Sequence, residues 1–207
     1  MPLSQTCEES GAQSSAARSY GLKELLYSDL ARQYELEGRP DLRPNFLRFL
    51  ARLLHFRFLP NVIFRTSRAA MLAGIPLLPG LLTYLNLVLF GVEITPRCEI
   101  GPGFFLPHPV GCVIGAWRIG SNVTMFGGVG LGAINDIHFT RELRCQIGSN
   151  VILGTGCKVM GPYSIGDNVK VGANSVVTCS IAANQTVVGA PARPVRSKLE
   201  SYSMTEF

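Results

Sequence analysis

The stretch QIGSNVILGTGCKVMGPYSIGDNVKVGANSVV, residues 146–177, decides the fold of this 207-residue chain, because its apolar residues recur every six positions. α-Helices repeat near 3.6 residues and β-strands near two, so a period of six requires another architecture. A triangular coil satisfies this period, because each side is a short strand with a turn and three sides make a coil of about eighteen residues. The apolar residues that would point into the prism are Ile147, Leu153, Val159, Ile165, Val171 and Val177.

The repeat begins well before this stretch. A first register starts at Ile94, a second follows one extra residue after Leu106, and the third follows an interruption at about residues 133–146. Thirteen hexapeptides result, which make slightly more than four coils. Glycine often follows the apolar position, and we expect it to permit the tight corners. Stacked coils bury one another's faces, so the sequence predicts a solenoid. The inward residues of the first two registers are Ile94, Ile100, Leu106, Val113, Ile119, Met125 and Leu131.

The composition excludes several classes of protein. Charged residues make up only 16% of the chain and hydrophobic residues 47%, which argues against a disordered chain. The 22 glycines do not recur every third residue, which argues against collagen. The six cysteines contain no C-x-x-C pair and no clustered ligand set, so we expect no metal site. Residues 1–18 lack an apolar signal region, and together these features favour a reduced, cytoplasmic setting.

The pattern divides the chain into a mobile tail at 1–20, a basic and apolar α-helical region at 21–92, the repeat at 93–195 and a second tail at 196–207. Helices are predicted at 21–34 and at 45–59, the latter with Asn45 as N-cap. Residues 69–92 carry no charge but contain Pro76 and Pro79, which favours a broken helical pair over one spanning helix.

The charge of the helical region suggests a possible partner. Residues 42–92 contain six arginines and no acidic residue, out of a net charge of +5 for the whole chain. The residues between the arginines are apolar, which disfavours nucleic acid and leaves peripheral contact with the inner membrane as an alternative. The arginines considered for this contact are Arg48, Arg52, Arg57, Arg65 and Arg68.

Thirteen hexapeptides with two register shifts resemble the hexapeptide-repeat acyltransferases over about residues 93–195. The resemblance implies a mainly β fold, a left-handed parallel β-helix preceded by a short α-helical region, and a homotrimer. It further implies acetyl-CoA as co-substrate, without a metal. The pattern is most similar to the serine acetyltransferase-like branch, and within it to the O-acetyltransferases of capsular and colanic-type exopolysaccharides.

Two of the three histidines lie at the two irregularities of the repeat, where a solenoid tolerates insertions. His108 lies at the first and is the expected general base, since imidazole can remove a hydroxyl proton and return it to a leaving thiol. His138 lies in the second and is either an acceptor ligand or the alternative base. The resemblance pairs a carboxylate with the catalytic histidine fifteen residues later, which here selects Glu93.

The resemblance also indicates where acetyl-CoA would bind, in the groove between neighbouring β-helices. Thr155 and Ala173 follow glycine in successive coils, and Arg193 in the closing motif VVGAPARPV is available for a phosphate. The developing oxyanion needs a hydrogen-bond donor, for which the backbone N–H groups near Gly127, Gly128 or Gly132 are candidates. Gly132 is also assigned to the cofactor contacts.

Two charges that the motif lacks bear on the acceptor. Serine acetyltransferases carry Asp before the catalytic histidine and Arg before the loop histidine, whereas this chain has Pro107 and Ile137. Phe105 and Trp117 offer aromatic faces for a sugar ring. A saccharide hydroxyl, on an exopolysaccharide or capsule precursor that could be lipid-linked, is therefore the first expectation. The alternatives are serine O-acetylation in cysteine biosynthesis and a non-catalytic β-helix scaffold.

Overall fold

The computed structural model describes residues 20–134 and 139–195. Four helices come first and are followed by a solenoid of short strands. The helices are α1 (Leu22–Leu36), α2 (Phe46–Arg52), α3 (Leu59–Leu72) and α4 (Leu78–Phe90). A 3-10 turn, Arg141–Leu143, interrupts the strands. The strands are β1 (Glu93–Ile94), β2 (Glu99–Ile100), β3 (Val113–Ile114), β4 (Arg118–Ile119), β5 (Thr124–Met125), β6 (Gly130–Gly132), β7 (Gln146–Ile147), β8 (Ile152–Leu153), β9 (Lys158–Met160), β10 (Ser164–Ile165), β11 (Lys170–Val171), β12 (Val176–Val177), β13 (Thr186–Val188) and β14 (Arg193–Pro194).

The strands form the three faces of a prism. Face one contains β1, β3, β6, β9 and β12; face two contains β2, β4, β7 and β10; face three contains β5, β8, β11, β13 and β14. All pairs are parallel except β13–β14, which closes the solenoid antiparallel. The left-handed parallel β-helix expected from the six-residue period is confirmed.

The interior of the prism is a ladder of apolar side chains. Stacked partners such as Ile94, Ile114 and Leu131 on face one are buried almost completely. One position of the predicted register is wrong, because Val113 is 50% exposed and Ile114 points inward instead. The pairing explains the shift: Ile94 pairs with Ile114 but Ile100 pairs with Ile119. The corner before β3 therefore takes up two extra residues, and the side after it is one residue shorter.

Glycine and asparagine share the corners differently from the expectation. Gly120 is needed for close stacking, since a Cβ there would lie 2.6 Å from the carbonyl carbon of Gly148 in the next coil. Glycines such as Gly128 and Gly156 adopt the left-handed backbone, with φ of 70° and 74°, but asparagines with φ between 57° and 63° adopt it as well. Their side chains also form a ladder, each amide donating to the asparagine one coil further on. The members of this ladder are Asn122, Asn150, Asn168 and Asn184.

The helical region caps the first coil, which has no coil above it to bond its backbone. Asn61, Arg65 and Arg68 lie on one side of α3 and donate to carbonyls of residues 96–104. Arg65 also forms a buried ion pair with Asp29 of α1, with 3.0 Å between Nε and Oδ2. Capping is a requirement of the terminal repeat in a solenoid. This stripe therefore joins the helices to the prism.

The helix boundaries differ from the prediction at 45–59. Asn45 is the N-cap of α2, since its side chain accepts from the backbone N–H of Arg48 at 2.9 Å. The helix, however, ends at Arg52, and α3 begins at Leu59. Pro60 lies in the first turn of α3, where the backbone N–H that proline lacks would have no partner within the helix. The apolar stretch 69–92 is broken between α3 and α4. None of the helices in the described ranges has the length and apolar character needed to cross a bilayer.

Candidate active site

His108 lies at the edge of the prism where face three meets face one. Phe105, three residues earlier, bridges to Thr124 of face three, and β3 of face one begins five residues later. The side chain of His108 is exposed, and its ring lies 6.5 Å from the ring of Phe126 between centroids. Proline on both sides restricts the backbone of this residue. The first register shift thus presents an imidazole on a rigid corner.

Gly127 lies directly beneath His108. A Cβ at Gly127 would lie 3.3 Å from the carbonyl oxygen of His108 and 3.4 Å from its Cβ. The backbone N–H of Gly128 is already engaged, since it donates to the carbonyl of Val110 at 3.0 Å. The N–H of Gly127 makes no hydrogen bond within the described part of the chain. Of the three glycines considered as oxyanion donors, Gly127 therefore best fits the position.

The same edge carries the residues assigned to the co-substrate. Thr155 and Ala173 follow β8 and β11 of face three, and both are exposed. Backbone hydrogen bonds connect successive coils here, from Gly156 N–H to Gly127 and from Asn174 N–H to Thr155. Coils stack about 4.8 Å apart, so this row is about 10 Å long from Gly127 to Ala173. The structure therefore aligns His108 with both positions.

Arg193 extends this arrangement towards the end of the solenoid. It lies on β14, is exposed, and pairs with Val188 at the border of face three. Its guanidinium donates to the neighbouring carbonyl of Ala192 at 3.1 Å. A cation therefore stands near the far end of the row that begins at His108.

Glu93 lies on the strand that neighbours the one following His108. β1 pairs with β3, which places Glu93 opposite Val113, and its side chain is exposed. The carboxylate and the His108 imidazole, both within the described residues, share no hydrogen bond. The pairing suggested by their fifteen-residue spacing therefore stays a prediction.

Three predicted site residues lie away from His108. Phe105 is 6% exposed and bridges to Thr124, so its buried ring offers no face to a ligand. Trp117 lies at the edge between faces one and two, where it contacts Phe139 at 5.8 Å and lines a cleft of about 440 Å³ with Arg97 and other residues. Gly132 ends β6 at the same edge and is buried. Within one protomer, none of the three completes the corner of His108.

The buried cysteines are unsuited to nucleophilic catalysis. Cys112, four residues after His108, donates its thiol to the carbonyl of Phe126 at 3.3 Å, and burial raises its pKa. Burial likewise raises the pKa of Cys145 and of Cys157 to about 12. Because the thiolate is the reactive form, a thiol near His108 offers no covalent intermediate. The described residues also contain no group of three or more potential metal ligands.

Some predictions fall outside the described residues. His138 and Ile137 belong to the segment 135–138, and the two tails lie largely within 1–19 and 196–207. The roles suggested for His138 stay predictions. Sequence reasoning missed Asn61 and Asp29, because their partners, the Phe104 peptide and the Arg65 side chain, lie 36 to 75 residues away.

Comparison with known proteins agrees with the repeat. Residues 144–179 match the model of the bacterial transferase hexapeptide, described as six repeats. A serine acetyltransferase of Synechococcus elongatus is 39% identical over 122 residues, which cover 58% of this chain and 49% of that protein. The chain therefore spans about half the length of this curated relative.

Solved structures extend the likeness to the helices. Serine acetyltransferase of Neisseria gonorrhoeae, solved with serine, superposes with a TM-score of 0.71 at 29% identity, covering 84% of this chain and 69% of that one. A serine acetyltransferase solved with CoA gives a TM-score of 0.71 at 25% identity over 84% of this chain and 69% of that one.

These comparisons overturn the saccharide prediction, because the relatives and structural neighbours are serine acetyltransferases. The geometry also removes its support, since Phe105 is buried and Trp117 lies at another edge. The matched repeat at residues 144–179, the three-faced prism and the likeness to solved serine acetyltransferases all agree with a hexapeptide-repeat architecture.

Proposed function

We propose that this protein is an acetyl-CoA-dependent O-acetyltransferase whose acceptor is L-serine. The observation that carries the proposal is the row along one edge of the prism, from His108 over Gly127 to Thr155 and Ala173. This row has a base, an unengaged backbone donor and a path of small exposed residues. The likeness to serine acetyltransferases, one solved with serine and another with CoA, supports the acceptor and the co-substrate.

The proposed reaction is a direct transfer. His108 takes the proton of the serine hydroxyl as the oxygen attacks the thioester carbonyl. The Gly127 N–H stabilises the oxyanion of the tetrahedral intermediate. The C–S bond then breaks, and the imidazolium returns the proton to the departing CoA thiolate. The raised pKa of Cys112 supports transfer without a cysteine intermediate.

The test is release of free thiol from acetyl-CoA with L-serine as acceptor, with the ester product identified by mass spectrometry. Thiol release that depends on serine and yields O-acetylserine would support the proposal. Absence of transfer to serine would contradict it. Failure to bind acetyl-CoA at all would instead favour the scaffold interpretation.

Two departures from the serine acetyltransferase pattern bear on serine recognition. Pro107, at the position of the aspartate, is buried and has no charge. Ile137, at the position of the arginine, lies in the segment outside the described residues. The serine ammonium therefore requires a carboxylate from a position other than 107.

Glu93→Gln is expected to lower kcat by about 100-fold, because the carboxylate would orient the His108 imidazole and stabilise its cationic form. The matched control is Glu99→Gln, since both residues open a two-residue Glu-Ile strand. Glu99 instead faces Arg118 at 3.5 Å. Steady-state kinetics should show a loss only for Glu93→Gln, and equal rates in the two variants would remove Glu93 from the mechanism.

Gly127→Ala is expected to reduce kcat by about tenfold, because the added methyl group would press on the backbone of His108 and misplace its ring by tenths of an ångström. Gly80→Ala is the control, since a Cβ there meets nothing within 4 Å. Kinetics of the two variants decide the matter. A kcat for Gly127→Ala within twofold of the wild type would show that the contact is unimportant.

We also propose that the protein assembles as a homotrimer through the faces of its β-helices. Face one exposes apolar side chains that a neighbouring copy would cover, and Thr155 and Ala173 lie at its border. These side chains are Val113, Met160 and Val176.

We further propose that α2 and the turn after it rest on an anionic bilayer surface. The exposed side chains Phe46, Leu47 and Leu54 lie among Arg43, Arg48 and Arg57, a combination that suits lipid head groups. Three of the five arginines that the sequence suggested for membrane contact are engaged within the protein. Arg65 is 2% exposed, Arg68 donates to two backbone carbonyls, and Arg52 is paired with Glu37.

Leu47→Glu combined with Leu54→Glu is expected to abolish co-sedimentation with vesicles that contain phosphatidylglycerol. Leu81→Glu, at an exposed leucine of α4, should leave it intact. Pure phosphatidylcholine vesicles should bind weakly, since the attraction is partly electrostatic. A wild-type protein that sediments with neither kind of vesicle would refute the membrane contact. A smaller mass of the double variant in light scattering would identify the surface as an interface between copies.

A further inference from the structure

Helical side chains hold the peptide groups of Phe104 on both sides. The N–H of Phe104 donates to Oδ1 of Asp29 at 2.9 Å, and its carbonyl accepts from Nδ2 of Asn61 at 2.8 Å. Both side chains are 1% exposed. The neighbouring N–H of Gly103 donates to Ser28 Oγ at 3.2 Å. Two helices, α1 and α3, therefore fix a short piece of the first coil.

This piece leads directly to His108. Phe105 is held by a bridge to Thr124, Leu106 is fully buried, and proline flanks His108 on both sides. Each proline fixes its own φ and restricts the residue before it. Few backbone torsions between Phe104 and His108 are free to rotate. A displacement of the Phe104 peptide should therefore also displace the imidazole.

The three donors on α3 bind two different parts of the first coil, and capping explains the contacts of Arg65 and Arg68 better than that of Asn61. Asn61, Arg65 and Arg68 each bind carbonyls of the first coil. Arg65 and Arg68 bind at residues 96–101, before the corner, whereas Asn61 binds at residue 104, at the start of the segment that carries His108. The residue nearest to the site thus binds the segment that the chemistry would use.

We propose that Asn61, supported by Asp29, is a positioning residue that sets the location of His108 through the Phe104 peptide. This inference rests on the proposed function, in which His108 is the base. The helical region thereby takes part in catalysis, beyond the basic, apolar surface that its sequence predicts.

Asn86 provides a matched control for a merely structural role. Like Asn61, it is 1% exposed and donates Nδ2 to a backbone carbonyl, that of Pro60, at 3.0 Å. In both residues Oδ1 has no partner within the described part of the chain. Asn86 lies on α4 and bonds only to the helical region. Loss of either amide should therefore lower the melting temperature by a similar amount.

The test compares Asn61→Ala with Asn86→Ala in the full-length chain. We expect Asn61→Ala to lower kcat about tenfold, with the KM values for L-serine and acetyl-CoA within about twofold of the wild type, because geometry and not binding is disturbed. Asn86→Ala should retain the wild-type kcat. Amide hydrogen exchange should accelerate over residues 104–108 only in Asn61→Ala. Ser28→Ala, which removes the weaker contact with Gly103, should give the same effects at smaller size if Asn61→Ala folds poorly.

Two results would overturn the positioning role. One is an equal loss of kcat in the two asparagine variants, and the other is unchanged hydrogen exchange over residues 104–108 in Asn61→Ala. A wild-type protein that transfers no acetyl group to serine would refute the proposed function instead. The exchange measurement needs no substrate, so it still decides whether Asn61 holds this segment.

Discussion

His108→Ala is expected to lower kcat by about 10²–10⁴-fold, which is the usual contribution of a positioned general base. The reason is geometric as well as chemical, since His108 stands at the start of the edge that carries Gly127, Thr155 and Ala173. Its side chain is exposed, so removal should not disturb the interior of the prism. Thiol release from acetyl-CoA, compared at equal folded concentration, measures the loss.

Two further variants make this prediction specific. His55→Ala should retain activity, because His55 lies in the helical region, where burial and then the charge of Arg52 lower its pKa. His138→Ala decides the role of the other histidine of the repeat region, which lies outside the described residues. If His108→Ala stays active while His138→Ala is inactive, the base is His138 and not His108.

Arg65→Ala is expected to reduce the free energy of unfolding by about 3–5 kcal/mol, the cost of leaving a buried charge without its partner. The variant would leave the Asp29 carboxylate buried, together with the carbonyls of Ile100 and Gly101. For a domain of this size the melting temperature should fall by about 10 °C. Urea denaturation at a fixed protein concentration measures the change, because association would make stability depend on concentration.

Arg118→Ala is the control for this prediction. Its ion pair with Glu99 spans 3.5 Å, and the two side chains are 39% and 45% exposed, so it should contribute less than about 1 kcal/mol. Arg65→Lys should recover only part of the loss, since a lysine cannot bridge a carboxylate and two carbonyls as a guanidinium does. Equal stability of Arg65→Ala and Arg118→Ala would show that the cap contributes little.

The prism was predictable because the six-residue period recurs in every coil. An inward apolar residue every six positions leaves few alternative folds, and positions such as Leu153 and Val171 are buried as expected. The error at Val113 arose at an irregular corner, where the period itself is interrupted. The sequence pattern predicts glycine at the left-handed corners, which holds for Gly128 and Gly156, but it does not predict that Asn150 and Asn168 adopt the same backbone.

The helical cap was not predictable in the same way. Asp29, Asn61 and Arg65 act on backbone groups of the first coil, and backbone partners leave no signature in a sequence. The arginines of α3 therefore suggested a surface charge, although Arg65 is buried in an ion pair. Long-range pairing of this kind follows from the topology and not from local pattern.

The candidate site was predicted in part. Thr155 and Ala173 follow from the resemblance to the hexapeptide-repeat acyltransferases, and the structure places both on the edge of His108. Phe105 and Trp117 were selected for their aromatic character, which does not distinguish a packed ring from a binding surface. The saccharide acceptor depended on that character and on two missing charges. The likeness to serine acetyltransferases contradicts a saccharide acceptor.

The central claim is that the edge of His108 transfers acetyl from acetyl-CoA to L-serine. The most direct test is thiol release by the purified wild-type protein with L-serine, measured beside a panel of sugars and with His108→Ala as the blank. We expect serine-dependent release that disappears in His108→Ala. Release that occurs with a sugar and not with serine, or that survives in His108→Ala, would contradict it.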